Sequence, residues 1–199
     1  MASVLNFLIG GEIPVQAFFE RWNRLKLRLC GAKINNYCKI YNKLYLFLHP
    51  KGSLEIGKNF TFSTGSNFNQ LSWNIRGAIY VASGATMKIG DSVGVSSSCL
   101  WCTKQITIGN HVDIGADTLI LDTDAHHLNW QERRNGGERS SKPVIIEDDV
   151  FIGIRSIILK GVTIGARSLI GAGSVVAKRV TPDCVAAGNP CKIIRMNNQ

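Results

Sequence analysis

The chain has 199 residues, 45% apolar and 19% charged, a balance that excludes the disordered and collagen-like classes. Its twenty glycines outnumber the sixteen Phe, Tyr and Trp residues, which argues for many tight turns rather than one large aromatic core. A net charge of +9 favours anionic partners, yet no arginine-rich run or aromatic-interleaved RNA motif is present, so nucleic acid is not expected among them.

The opening, MASVLNFLIGGEIP, has a short apolar run with no basic residues ahead of it. It also falls short of the ~18 apolar residues of a membrane span, so neither a signal peptide nor a span is expected. From Pro14 the segment PVQAFFERWNRLKLRL predicts a helix. Proline suits a first helical position, and Phe18, Trp22, Leu25 and Leu29 recur on one helical face with Arg21, Arg24 and Arg28 elsewhere. Two readings of this helix stand open: a cap over the end of the following domain, or a basic amphipathic helix in peripheral contact with an anionic membrane surface. Without a secretory signal, the six cysteines (Cys30, Cys38, Cys99, Cys102, Cys184 and Cys191) are expected to be reduced thiols of a cytoplasmic protein, with any membrane contact at the inner face.

Beyond this helix the chain keeps time in sixes. From Ile146 it reads IEDDVF, IGIRSI, ILKGVT, IGARSL, IGAGSV and VAKRVT, with an aliphatic residue first, Gly often second, and a small or β-branched residue fifth. The frame returns upstream as IGNHVD, IGADTL and ILDTDA from Ile108, and as IGDSVG and VSSSCL from Ile89. INNYCK (34–39) and IGKNFT (56–61) are weaker copies. A period of six fits neither the 3.6 of a helix nor one long strand alternation. It describes a short strand followed by a turn, the pattern of a hexapeptide parallel β-helix, in which each coil buries its apolar residues only against its neighbours. The fold class expected is therefore an all-β solenoid with a short N-terminal helix. Its segments are a helical 1–33, a β-helix over 34–188 and a basic tail over 189–199. Cys99-Leu-Trp-Cys102 has redox or zinc spacing, but there is no second CxxC and no helix start to lower a thiol pKa. Packing is the expected role, with Cys38 and Cys99 in fifth-position slots.

Between Ile120 and Ile146 the metronome stops, and residues 122–143 form a long loop on a rigid scaffold, usually a functional feature. The loop opens on Asp122-Thr123-Asp124-Ala125-His126-His127, which by composition could be a metal site, a base with an orienting acid, or a solvated loop.

The run from Lys142 to Arg195, KPVIIEDDVFIGIRSIILKGVTIGARSLIGAGSVVAKRVTPDCVAAGNPCKIIR, resembles the C-terminal half of the hexapeptide-repeat O-acetyltransferases. That family includes the galactoside and maltose acetyltransferases and the bacterial polysaccharide O-acetyltransferases. The likeness is close from Ile106 to Arg195 and poor before Gly52. It implies a left-handed parallel β-helix, a homotrimer with active sites between subunits, acetyl-CoA as the donor, a carbohydrate hydroxyl as the acceptor, and no required metal. It places the general base at the histidine that opens the excursion. Thr123-Asp124-Ala125-His126-His127-Leu128 matches that motif with His126 as the base, whereas a count back from the next strand favours His127. A neutral imidazole suits the task because its pKa lies near working pH. Asp124 would orient the ring or contact the sugar, or else simply form the turn. Ser97 falls where the galactoside enzymes carry a substrate-contacting asparagine. Ile154, Ala172 and Ala177 would line the pantetheine arm, while Lys178, Lys192 and Arg195 would meet the CoA phosphates.

Two other readings use the same fold. One is an acyl transfer to the nitrogen of an amino sugar; the other is a non-catalytic trimeric glycan-binding scaffold. A zinc-dependent carbonic anhydrase of β-helix type needs three converging histidines. His49, His111, His126 and His127 lack the paired spacing for that, so no metal ligands are expected.

Overall fold

A computed structural model describes residues 12–65, 71 and 75–197, so the apolar opening read above lies outside the described residues except at its end. Among the described residues, helix α1 (Glu12–Leu29) leads into twenty strands, and α2 (Trp130–Arg134) is a short helix within the long excursion. The strands, numbered in chain order, lie on three faces. Face 1 holds β1 (Lys33–Ile34), β4 (Ser53–Ile56), β7 (Thr86–Ile89), β10 (Gln105–Ile108), β13 (Val144–Ile146) and β16 (Thr163–Ile164). Face 2 holds β2 (Lys39–Tyr41), β5 (Thr61–Ser63), β8 (Gly94–Ser96), β11 (Asp113–Ile114), β14 (Phe151–Ile152), β17 (Leu169–Ile170) and β19 (Cys184–Ala187). Face 3 holds β3 (Tyr45–Leu48), β6 (Ala78–Val81), β9 (Cys99–Cys102), β12 (Leu119–Leu121), β15 (Ile157–Ile158) and β18 (Val175–Val176). Within these faces neighbouring strands are parallel. The chain visits face 1, then 2, then 3, and so winds a triangular solenoid.

The first position of each hexapeptide supplies the core. On face 1, Ile34, Ile56, Ile89, Ile108, Ile146 and Ile164 stand in one register, and on face 3 Leu46, Ile79, Leu100, Ile120, Ile158 and Val176 do the same. Each fully buried side chain of this size contributes about 1.5–3 kcal/mol relative to exposure, so the stack carries the fold. The second-position glycine has a steric cause. A Cβ on Gly153 would lie 2.5 Å from the Ala172 nitrogen of the next coil, and one on Gly115 would lie 2.6 Å from the Ile154 nitrogen.

The corners are built as regularly as the faces. Between faces 1 and 2, Asn59, Ser92, His111, Asp149, Arg167 and Asp183 are all left-handed, with φ between 54° and 58°. His111 thus serves as a turn residue, its amide donating to the Asp91 carbonyl at 2.9 Å. Between faces 2 and 3 the small buried slot holds Ser98, Thr118, Ser156 and Ser174, whose hydroxyls bond backbone carbonyls; Ser156 reaches the Gly153 oxygen at 2.8 Å. Here the expected place of Cys99 needs correction. Val95 to Leu100 is one residue shorter than Ile114 to Ile120, so Ser98 takes the slot and Cys99 pairs beside Leu119 in the strand. Cys38 does fill its slot, fully buried.

Helix α1 caps the end of the solenoid. It covers the first coil with Leu27 and Asn23, whose side-chain amide donates to the carbonyls of Ile40 at 3.0 Å and Asn42 at 2.8 Å. Phe18, Trp22, Leu25 and Leu29 do share a face, but it points outward. At the other end, the expected basic tail contains a strand, β20 (Lys192–Met196), which pairs antiparallel with β19.

Candidate active site

The excursion leaves face 3 after β12 and rejoins face 1 at β13. Ile108 pairs with Ile146, an offset of 38, whereas Ile146 pairs with Ile164, an offset of 18; the loop therefore adds 20 residues without disturbing the stack. Its two legs are tied together at the neck. Thr123 and Ser141 form an antiparallel bridge, the Asp124 amide donates to the Ser140 carbonyl at 3.1 Å, and the Lys142 amide donates to the Asp122 carbonyl at 2.9 Å.

The neck is also tied to the coils on either side. Asp122 is fully buried, and its carboxylate accepts from the amides of Thr103 at 2.8 Å, Lys104 at 2.6 Å and Gln105 at 2.7 Å and from the Thr103 hydroxyl at 2.8 Å. The same hydroxyl lies 2.9 Å from that of Ser141, which links both legs to the coil before. A buried carboxylate is tolerable only when its lone pairs are used in this way. On the following coil, Lys160 pairs with Asp124, both side chains being about one-fifth exposed (18% and 20%). Asp124 thus spends a carboxylate oxygen on Lys160, a contact that neither of its expected roles included.

His126 emerges from this braced base. Ala125 is left-handed at φ 61°, its amide donating to the Thr123 hydroxyl at 3.1 Å, and the His126 amide donates to the Asp124 carbonyl at 2.7 Å. The tight turn projects His126 into solvent, while His127 is half-buried. The Asn129 amide donates to Nδ1 of His127 at 3.1 Å. That bond uses the Nδ1 lone pair, so a neutral His127 ring carries its proton on Nε2 and offers a donor rather than a base. Beyond it the loop tip is open: Leu128 and Trp130 are exposed, and the Arg134 guanidinium lies 4.8 Å from the Trp130 ring centre.

The other expected residues fall at two corners. Ile154 and Ala172 are stacked and exposed at the corner between faces 2 and 3. Ala177 and Lys178 are exposed at the corner between faces 3 and 1, one coil beyond Lys160 and so on the edge that carries the neck. Lys192 and Arg195 are exposed on β20. Ser97 requires a correction. It is fully buried at a φ of 34°, its hydroxyl accepting from the Gly65 amide at 3.2 Å and lying 3.3 Å from the Ser63 carbonyl, so in this chain that hydroxyl is engaged within the turn. Thr103, Ser141 and Lys160 carry no signal of this role in the sequence, and Asp122 stands out there only as a member of the 122–127 cluster. Strand alternation after Ile120 is a further signal, for it puts Asp122 inward, where an acid needs partners.

Burial pushes the Cys102 thiol up to about 12, helped by Asp122, and raises that of Cys99 as well, so this CxxC lacks the thiolate that redox chemistry needs. Among the described residues, no group of three or more His, Cys, Asp and Glu side chains could hold a metal ion.

Residues 143–178 match the sequence profile of the hexapeptide repeat of succinyl-transferase. The galactoside O-acetyltransferase of Escherichia coli (strain K12) is 45% identical over 93 residues, which are 47% of this chain and 45% of that protein, so the matched part spans less than half of the relative. Among solved structures, a hexapeptide-repeat-containing acetyltransferase of Vibrio cholerae complexed with acetyl-coenzyme A aligns over 89% of this chain and 76% of its own, at 29% identity and a TM-score of 0.58. A galactoside acetyltransferase in complex with coenzyme A aligns over 88% of this chain and 70% of its own, at 26% identity and a TM-score of 0.58. The chain folds as a left-handed parallel β-helix of hexapeptide repeats and in that is similar to these acetyltransferases.

Proposed function

We propose that the protein is an acetyl-CoA-dependent O-acetyltransferase acting on a hydroxyl of a sugar or surface-glycan intermediate. The observation that carries this reading is an exposed imidazole on a braced turn at a long break in a solenoid of the kind that binds acetyl-coenzyme A in a similar structure. His126 takes the acceptor hydroxyl's proton as the oxygen bonds to the thioester carbonyl. As the carbon–sulfur bond breaks, the imidazolium returns that proton to the departing thiolate, leaving a sugar ester and free CoA. His127, with its proton on Nε2, is a donor for the acceptor or for the developing oxyanion.

The bare corner made by Gly153, Ile154 and Ala172 suits a narrow pantetheine arm, with much of the contact made to backbone. Lys178, Lys192 and Arg195 are exposed cations that suit phosphates. One chain carries Ile154 and Ala172 on one corner and Ala177, Lys178 and His126 on another. A site using both sets joins corners of neighbouring copies, which supports a homotrimer. The setting is the cytoplasm, at the inner face of a membrane where lipid-carried glycans are met. The three proposed segments are an N-terminal 1–33 that carries helix α1, the transferase solenoid 34–188 and the tail 189–199.

The test is CoA-thiol release from acetyl-CoA across free and lipid-linked sugar acceptors, with mass spectrometry of the product. An added 42 Da acetyl that mild alkali removes is the expected ester (mass by composition, about 42 Da). An alkali-stable adduct identifies an amide and the amino-sugar reading, and no thiol release with any acceptor leaves the non-catalytic scaffold.

A further inference from the structure

The outward face of α1 has no role in the chemistry above. Phe18, Trp22, Leu25 and Leu29 are 59%, 53%, 49% and 77% exposed, and the rings of Phe18 and Trp22 stack at 6.4 Å with 5° between their planes. At about 100° per residue these four side chains fall within an arc of about 60°. Arg21 and Arg28 lie along one border of the arc and Lys26 along the other, while Leu27 and Asn23 occupy the buried side. Exposed apolar residues ordered in this way mark a surface for something else.

Charge says what that partner is. Between Gln16 and Lys33 there are five cationic side chains and one carboxylate, Glu20. A groove of 420 Å³ between the helix and the first coil continues the pattern, with Phe18, Trp22 and Tyr45 beside Lys26, Lys43 and Arg76. Arg76 lies over the Tyr45 ring at 5.5 Å. The eleven residues ahead of the helix, MASVLNFLIGG, have no charged side chain, so the chain that runs off this end is apolar. No helix of the described residues is long and apolar enough to cross a membrane. Aromatic and leucine side chains on one face with cations along its borders are the pattern of a helix that lies in a lipid headgroup layer.

We infer that the outward face of α1 docks the protein on an anionic lipid surface, with Phe18, Trp22, Leu25 and Leu29 entering the headgroup boundary and the bordering cations meeting lipid phosphates. This deepens the membrane setting proposed above, yet it is independent of the transfer reaction. Flotation of the full chain with phosphatidylglycerol–phosphatidylcholine vesicles and with pure phosphatidylcholine vesicles tests it. The protein is expected to float with the anionic vesicles, at least about tenfold less with the neutral ones, and less in high salt. Phe18→Glu/Trp22→Glu, at exposed positions, is expected to abolish flotation while thermal stability and acetyl transfer to a free sugar stay unchanged. Wild type that ignores anionic vesicles, or a double variant that floats as well as wild type, overturns the inference. So does a wild type that is a larger oligomer than the variant, since a second copy then covers the face. Loss of transfer with flotation intact would instead strike only the catalytic reading.

Discussion

The C-terminal coils and the neck of the excursion are held by opposite means. In the coils, one aliphatic residue in six points inward and stacks on its counterpart, and almost any apolar side chain of similar size would serve. In the neck, Asp122, Thr103 and Ser141 form a small polar network in which each atom has a specific partner. Apolar stacking gives a scaffold tolerant of substitution, whereas the network defines a single position for the turn that carries His126. A polar network of this kind is unforgiving when half satisfied.

Substitutions separate the two. The largest stability effect is expected in the stack: Ile152→Ala, fully buried on face 2, should cost about 2–5 kcal/mol in urea unfolding. Next comes Asp122→Ala, which leaves three turn amides without their acceptor and should cost about 1–3 kcal/mol. Unlike Ile152→Ala, it should also lower kcat in the surviving folded protein; an unchanged kcat would mean that the neck does not place the base. Lys160→Met removes the partly screened partner of Asp124, for which about 1 kcal/mol or less is expected, with kcat affected more than Tm. The smallest effect belongs to the exposed tip, where Leu128→Ser should change stability by less than about 0.5 kcal/mol.

The buried thiols add a pH dependence. Burial pushes Cys38 and Cys102 up to about 12 from a usual 9.0, so the folded chain keeps these protons where the unfolded chain loses them. The urea midpoint should therefore hold below the unfolded value and fall as pH rises from about 9 toward 12. Below pH 9, a thiol probe should label exposed Cys30 and spare buried Cys38 and Cys102.

The solenoid was legible because a six-residue period directly reports inward positions, and Ile34 and Ile56 joined the stack even from weak copies. What the period does not report is set by single residues or by polar partners. A corner one residue shorter than its neighbours moved Cys99 out of the small slot. The apolar face of helix α1 is legible in its periodicity, but its buried side is chosen by Asn23, a donor for the carbonyls of Ile40 and Asn42, and apolar periodicity is blind to donors. Ser97 matched a position by counting, yet counting cannot report that its hydroxyl is bonded within the turn. The location of the candidate base was readable from the break in the repeat. What favours His126 over His127 in the proposed reading is the Asn129 bond to His127, which no sequence pattern reports.

That distinction is the most direct test. Steady-state acetyl transfer should be measured for wild type, His126→Ala and His127→Ala, with CoA affinity and Tm recorded for each. His126→Ala is predicted to lose about 10²–10⁴-fold in kcat with CoA affinity and Tm retained, and His127→Ala to lose less. A His126→Ala protein that keeps its kcat while His127→Ala loses it would contradict the account.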